Sequence, residues 1–269
     1  MIIKPSRRWA FPDLGELWEH RELLYFFAWR DIKVRYKQTV LGAAWAVIQP
    51  LLTMVVFSIF FGNFAKIPSE GLPYSIFSYT ALVPWTYFAN SVSQASGSIV
   101  AQRGIITKVY FPRVIVPLAS MISGLLDFGI AFVVLVAMML YYHIFPSFNI
   151  LFVPLLLIFC VATVLAVGLW LTALNVIYRD IQYAVPFLVQ FWLFATPVAY
   201  PSSMVPARWR PVLGLNPMTG VVEGFRWSLL GSGEGLGPTF VVSVAIVGLL
   251  LVTGLLYFRH MERMFADVV

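Results

Sequence analysis

Long uncharged apolar blocks alternate along this chain with short charged seams. The first block opens at Val40 and meets no charge until Lys66. At ~1.5 Å per residue, a helix of about 26 residues reaches roughly 39 Å, enough to cross a ~30 Å hydrocarbon core with tilt. Six such blocks predict six membrane-spanning helices, at about 39–64, 74–101, 114–142, 150–176, 185–200 and 239–258. The fifth is short, at 16 residues, and is bracketed by Pro186 and Pro197. The fold class that follows is an all-α polytopic membrane protein.

Ahead of the first block the period changes. Leu14, Leu17, Trp18, Leu24, Tyr25, Ala28 and Ile32 recur at helical spacing, with Asp13, Glu16, Glu19, His20, Arg30, Lys33 and Lys37 mostly opposite and Arg21 breaking the stripe. This predicts an amphipathic helix in the membrane interface, too interrupted by charge to span. The expected organisation is an interface segment over 1–38 and a transmembrane domain over 39–269. The first 38 residues have no short apolar core followed by a small-residue cleavage site, so the first span is expected to act as the targeting signal.

Lys and Arg give the orientation. The N-terminal segment carries eight, loop 102–113 three, loop 177–184 one and the tail two, fourteen on one side against four on the other (Lys66, Arg208, Arg210, Arg226). Cytoplasmic loops hold the excess of positive charge, so both termini are expected in the cytoplasm. That places 201–238 outside, although much of it is apolar. Asn216 suits an N-cap, Pro217 the first helical position and Gly231 the residue past the end. A helix of about 14 residues covers roughly 21 Å, too short to cross. A re-entrant or interfacial helix pair, 206–215 and 217–230, is expected, as is an external cavity beside it; an ordinary amphipathic loop helix fits equally. Glu223 and Arg226, three apart, can pair.

Composition then narrows the class. The 269 residues are 60% hydrophobic and 11% charged, against about 25% charged in soluble domains. The net charge of +6 follows from the membrane-flanking cations and does not signal nucleic acid. The lone Cys160 permits no disulfide within one chain. The sequence contains no G-x-x-x-x-G-K-[ST] phosphate loop, no H-E-x-x-H and no Cys/His cluster, so the chain is expected not to be an enzyme and to hold no metal.

Three sets of residues carry candidate chemistry. The basic run Arg30, Lys33, Arg35 and Lys37 stands where the chain enters the lipid. It is either a plain positive flank or a clamp for an anionic lipid headgroup. Arg30 and Arg35 suit a phosphate better than the lysines, because a planar guanidinium donates two parallel hydrogen bonds. Five residues apart, they point to different sides of one helix, and one of them has Asp31 for a neighbour. Asp127 is the only ionisable residue within the expected spans and reads as a helix-packing or cavity-facing group. In the second span Asn90, Gln94 and Ser98 step at i, i+4, i+8, with Trp85, Tyr87 and Phe88 nearby. Uncharged hydrogen-bonding groups with aromatic planes suit a sugar and not an ion. Helix packing with Ser and Asn as polar contacts fits the same pattern.

Five stretches in order, RDIKVRYKQTVLGAAWAVIQP (30–50), ITKVYFPRVIVPLA (106–119), LNVIYRDI (174–181), TPVAYPSSMVP (196–206) and LNPMTGVVEGFRW (215–227), together resemble the permease subunits of ABC-2 type polysaccharide exporters, of the O-antigen and teichoic acid export kind. The resemblance implies a homodimer of permeases with two separate ATPase subunits that hold ATP and Mg. It implies a polymer on a polyprenyl pyrophosphate lipid as substrate, moved outward across the inner membrane. It implies a coupling helix in Arg103–Arg113. That loop is short and basic, with Arg103, Lys108 and Arg113, and Tyr110 and Phe111 offer apolar anchors for a groove on the ATPase, with Arg179 and Asp180 bracing from the next cytoplasmic loop; a plain positively charged turn fits the same residues. Asn216, Glu223 and Arg226 fall in the external re-entrant helices. Two other classes stand beside this one: a membrane enzyme acting on a polyprenyl-linked glycan, and an ABC-2 exporter of a small amphiphile. The first needs convergent acid and base groups, yet Asp127, Asp180 and Glu223 are expected at different depths.

Overall fold

A computed structural model describes residues 14–37, 42, 44–233 and 235–265, all helix and connecting turns with no strand among them. Asp13 and most of the first residues of the expected first span lie outside the described residues. Eleven α-helices are described: α1 Leu14–Glu19, α2 Arg21–Lys37, α3 Ala44–Phe57, α4 Tyr74–Ala101, α5 Arg103–Ile106, α6 Ile115–Tyr141, α7 Val153–Ile177, α8 Ile181–Ala195, α9 Arg210–Leu213, α10 Pro217–Leu230 and α11 Pro238–Met261. A helix lies in each of the six expected span ranges. Four are long and apolar enough to cross a membrane: Ala44–Phe64, Ile115–Tyr141, Phe148–Ile177 and Pro238–Met261.

The other two differ for separate reasons. α4 has 28 residues, about 42 Å at ~1.5 Å each, so length is not what it lacks. Its polar content lowers its hydropathy, and the other helices sheathe it: α3, α6, α7, α8 and α10 all pack on it. Most of its buried hydroxyls return to carbonyls about one turn earlier, as with Ser78 to Tyr74 (2.9 Å) and Thr80 to Ile76 (2.8 Å). That satisfies a polar group without water. α8 has 15 residues, about 22 Å, and falls short of a ~30 Å core.

α3 runs on without a break into a π-helix, Ser58–Phe64. A wider turn of this kind has no periodicity that a sequence reveals. Gly62 lies here against Tyr74, whose ring a Cβ would meet at 3.0 Å.

The expected amphipathic interface helix is corrected in part. α2 packs along α6, Phe27 against Phe111 with ring centroids 5.8 Å apart and Ser120 donating to Asp31 at 3.4 Å. Its apolar residues do not form one stripe: Phe27 and Ala28 are buried, whereas Tyr25, Phe26, Trp29 and Val34 are exposed. A narrow seam onto α6, not a broad apolar face, is what holds it.

α10 starts and stops as its sequence dictates. Asn216 Oδ1 accepts from the Met218 amide (3.0 Å), Pro217 opens the helix and Gly231 closes it at φ 69°, a left-handed conformation that glycine adopts without strain. The expected 206–215 helix is shorter, a 3-10 turn Ala207–Trp209 followed by α9. Every residue of α10 except Trp227 and Leu230 is buried. α10 is sheathed by α4, α7 and α11.

Candidate functional site

The end of α2 brings a cation to the middle of α6. Arg35 donates to Asp127 and to Gln94 of α4, and the Tyr36 hydroxyl donates to the second oxygen of Asp127. Asp127 lies twelve positions beyond Ile115, about 18 Å along α6. No cation was expected at this depth, since none occurs in the six apolar blocks. That expectation is corrected: a neighbouring helix supplies the partner. A carboxylate inside a bundle is costly without one.

The other members of the basic run separate. Arg30 pairs with Asp31 at 2.8 Å, and its guanidinium sits 4.9 Å from the Phe27 ring centre. Lys33 lies over the Trp29 ring at 5.7 Å. Lys33 and Lys37 are exposed. Both arginines that suit a phosphate are thus engaged by carboxylates, on different sides of α2, and the lysines are the exposed members of the run.

Beside Arg35 and Asp127 a cavity of about 270 Å³ opens between α3, α4 and α6, with Trp45, Gln49, Thr86, Tyr87, Asn90, Ser91, Gln94, Gly124 and Phe128 in its wall. Of the five residues expected to line a sugar path, Tyr87, Asn90 and Gln94 meet here. Trp85 and Ser98 do not, and that part of the expectation is corrected. Trp85 is 4% exposed and packs on Phe88, which packs in turn on Trp192. Ser98 is buried and donates to the Ala95 carbonyl at 2.7 Å. Polar residues occur on both sides of α4, so spacing alone does not tell which side is free.

An aromatic row that the sequence reading missed lies on α8. Tyr183, Phe187, Phe191 and Phe194 are all exposed. Their spacing of four, four and three was the available signal.

On the side of the α4–α6 turn, the basic loop has two halves. Arg103, Lys108 and Tyr110 are exposed, the last at 73%. Phe111, expected as an exposed anchor, is instead buried against Phe27. The Arg113 amide donates to Glu262 Oε1 at 2.8 Å and its guanidinium to the Glu262 carbonyl. Arg259 pairs with Glu262 at 2.8 Å and with Glu16 at 3.8 Å. The loop is thereby tied to both the N-terminal helices and the end of α11. Arg179 and Asp180 are exposed just before α8.

Glu223 and Arg226 do pair, at 3.2 Å, deep in the protein. Arg226 is 1% exposed and donates to the carbonyls of Pro197 (2.5 Å), Val198 (2.6 Å), Phe77 (3.3 Å) and Tyr200 (3.4 Å). Glu223 accepts from Ser202 at 2.9 Å. Asn216 joins the same region, accepting from Trp192 Nε1 at 2.8 Å and donating to Thr196 at 2.8 Å. These three residues fasten α10 to the non-helical turn after α8, whose carbonyls would otherwise lack partners. Among the described residues no group of His, Cys, Asp and Glu is arranged to hold a metal.

The sequence model of the ABC-2 type transporter family matches residues 22–230. The chain is similar to the O-antigen export system permease protein RfbA of Myxococcus xanthus, 30% identical over 215 residues, 78% of this chain and 81% of that protein. It is 29% identical over 258 residues to an O-antigen export system permease protein RfbA of Klebsiella pneumoniae, 95% of this chain and 97% of that protein. To the polysialic acid transport protein KpsM of Escherichia coli it is 24% identical over 243 residues, 87% and 91% of the two. A family match from the start of α2 to the end of α10, on a helical fold with four helices fit to cross a membrane, establishes that the chain belongs to the ABC-2 type transporter family as an integral membrane permease.

Proposed function

We propose that this chain is the membrane subunit of an ATP-driven exporter of a polysaccharide, an O-antigen or similar, carried on a polyprenyl pyrophosphate lipid. Two permease chains work with two separate ATPase subunits, which hold ATP and Mg, in the inner membrane. Both termini are cytoplasmic, six segments cross the bilayer, with α4 the second and α8 together with the non-helical turn after it the fifth, and α9 and α10 are the external re-entrant pair. The observation that carries the reading is that a relative similar along 95% of this chain is named for O-antigen export. The exposed, uncharged aromatic row of α8 supports it, because rings present flat apolar faces to the C–H faces of a sugar chain. The polymer follows that row between two chains; the exposed Lys33 and Lys37, joined by Arg30 on release from Asp31, meet the pyrophosphate. The exposed part of the loop, Arg103 to Tyr110, takes the thrust of the ATPase.

The test is reconstitution of the permease with its ATPase in vesicles loaded on the ATPase side with a lipid-linked glycan. ATP-dependent appearance of the glycan on the opposite face is the expected result. Glycan that stays put while ATP is hydrolysed and a small amphiphile is moved would replace this reading with that of an amphiphile exporter.

A further inference from the structure

The cavity beside Arg35 lies within one chain, between α3, α4 and α6. At about 270 Å³ it falls just below the ~300–1,000 Å³ range of small-molecule sites. Its wall is nevertheless built for a ligand. Among the described residues the side chains of Gln49, Thr86 and Asn90 make no hydrogen bond to protein, and Ser91 Oγ, 1% exposed, has no partner of hydrogen-bond geometry. Gln49 is exposed and Thr86 and Asn90 are half-buried, so their polar ends stand open to a ligand; Ser91 is the buried one, and since buried polar groups are ordinarily satisfied, the cavity lacks a partner there that something else supplies. The two charges at its edge already neutralise each other, Arg35 against Asp127, with Tyr36 on the second carboxylate oxygen. An anion would have to break that pair. Trp45, Tyr87 and Phe128 add ring surface.

We infer that this cavity binds one neutral sugar unit within each chain, apart from the row on α8. The inference rests on the exporter reading for the source of that sugar, a unit of the transported glycan. Amide and hydroxyl groups pair with its hydroxyls, and the rings take its apolar face. The wall is close-set: a Cβ at Gly124 would meet Ser91 Oγ at 2.5 Å and Tyr87 Cε2 at 3.2 Å, so α6 and α4 touch there. Water is the competing occupant.

The test uses the permease–ATPase complex in vesicles with Thr86→Cys as a reporter, read by its reaction with a small neutral thiol reagent; the native Cys160 is fully buried. Methyl glycosides of glucose, galactose, mannose, rhamnose and N-acetylglucosamine are added in turn at high millimolar concentration. At least one is expected to slow the reaction several-fold, while Ser203→Cys, exposed and remote, reacts at the same rate throughout. Asn90→Leu should abolish the protection; Gln49→Leu, on α3, serves the same purpose should Asn90→Leu fail to assemble. Protection by no glycoside, protection that survives both variants, protection by glycerophosphate or phosphocholine instead, or a Thr86→Cys that never reacts each overturns the inference. Normal glycan export by the same complex with no protection would remove the pocket and leave the exporter reading intact.

Discussion

Arg35 and Asp127, 92 positions apart, form an ion pair that fastens the end of α2 to the middle of α6. Both side chains keep some contact with solvent, so the pair is worth less than a fully buried one, about 1–2 kcal/mol. Arg35→Ala and Asp127→Ala should each lower the thermal unfolding temperature of the purified protein. The double variant should lose less than the two single losses together, because either one already abolishes the shared contact. Strict additivity would mean that the two residues do not interact.

Arg226 is the most deeply placed cation described. Removing it leaves Glu223 buried without its cation and several carbonyls without a partner, so Arg226→Leu should cost about 3–5 kcal/mol. Arg226→Lys should rescue little, since an ammonium cannot reach Pro197, Val198 and Phe77 as a planar fork does. Yield of folded protein and thermal unfolding in detergent check both. A Lys variant as stable as the parent would show that charge alone, and not the fork, is needed.

Two glycines should differ sharply. A Cβ at Gly214 meets the backbone carbonyl of Thr239 at 2.6 Å and that of Pro211 at 3.0 Å, neither of which can turn aside. Gly214→Ala should destabilise by about 1–3 kcal/mol. A Cβ at Gly168 meets only the terminal methyl of Met121 at 2.4 Å, with Ala95 next at 3.7 Å. A methionine end can swing away, so Gly168→Ala should cost under about 1 kcal/mol. Comparing the two melting curves is the check, and equal losses would contradict the argument.

Adjacent aromatics in the basic loop should separate stability from coupling. Phe111→Ala empties a buried position and should cost about 3–5 kcal/mol. Tyr110→Ala, at an exposed position, should leave unfolding within about 0.5 kcal/mol of the parent. In the reconstituted complex it should raise the ATP consumed per glycan moved, if Tyr110 is where the ATPase pushes. Unchanged stoichiometry would assign that contact elsewhere.

Helix limits were readable where local chemistry sets them. Tyr74 to Ala101 follows from an uninterrupted uncharged run, and Asn216, Pro217 and Gly231 mark α10 as a cap, a first-turn proline and a left-handed stop. The Glu223–Arg226 pair follows from helical spacing. What escaped was decided between elements. Nothing near Asp127 in sequence announces Arg35. Polar groups on both sides of α4 left open which side is free, hence the misplacing of Trp85 and Ser98. Phe111 and Tyr110 are neighbours of like character, and only the presence of Phe27 makes one interior and the other surface. The row on α8 is legible by its spacing, but which side of a short helix faces outward depends on the neighbours it packs against.

α4 is held by helices on all sides, whereas α3 leans chiefly on α4 and α6, and α8 on α4 and α7. The consequence is mechanical. Parting α3 or α8 from its neighbours breaks contacts along one flank of a rod, while displacing α4 would break contacts with five at once. Motion in this fold is therefore easiest for the outer rods about a stationary mast, with the interior left as it is.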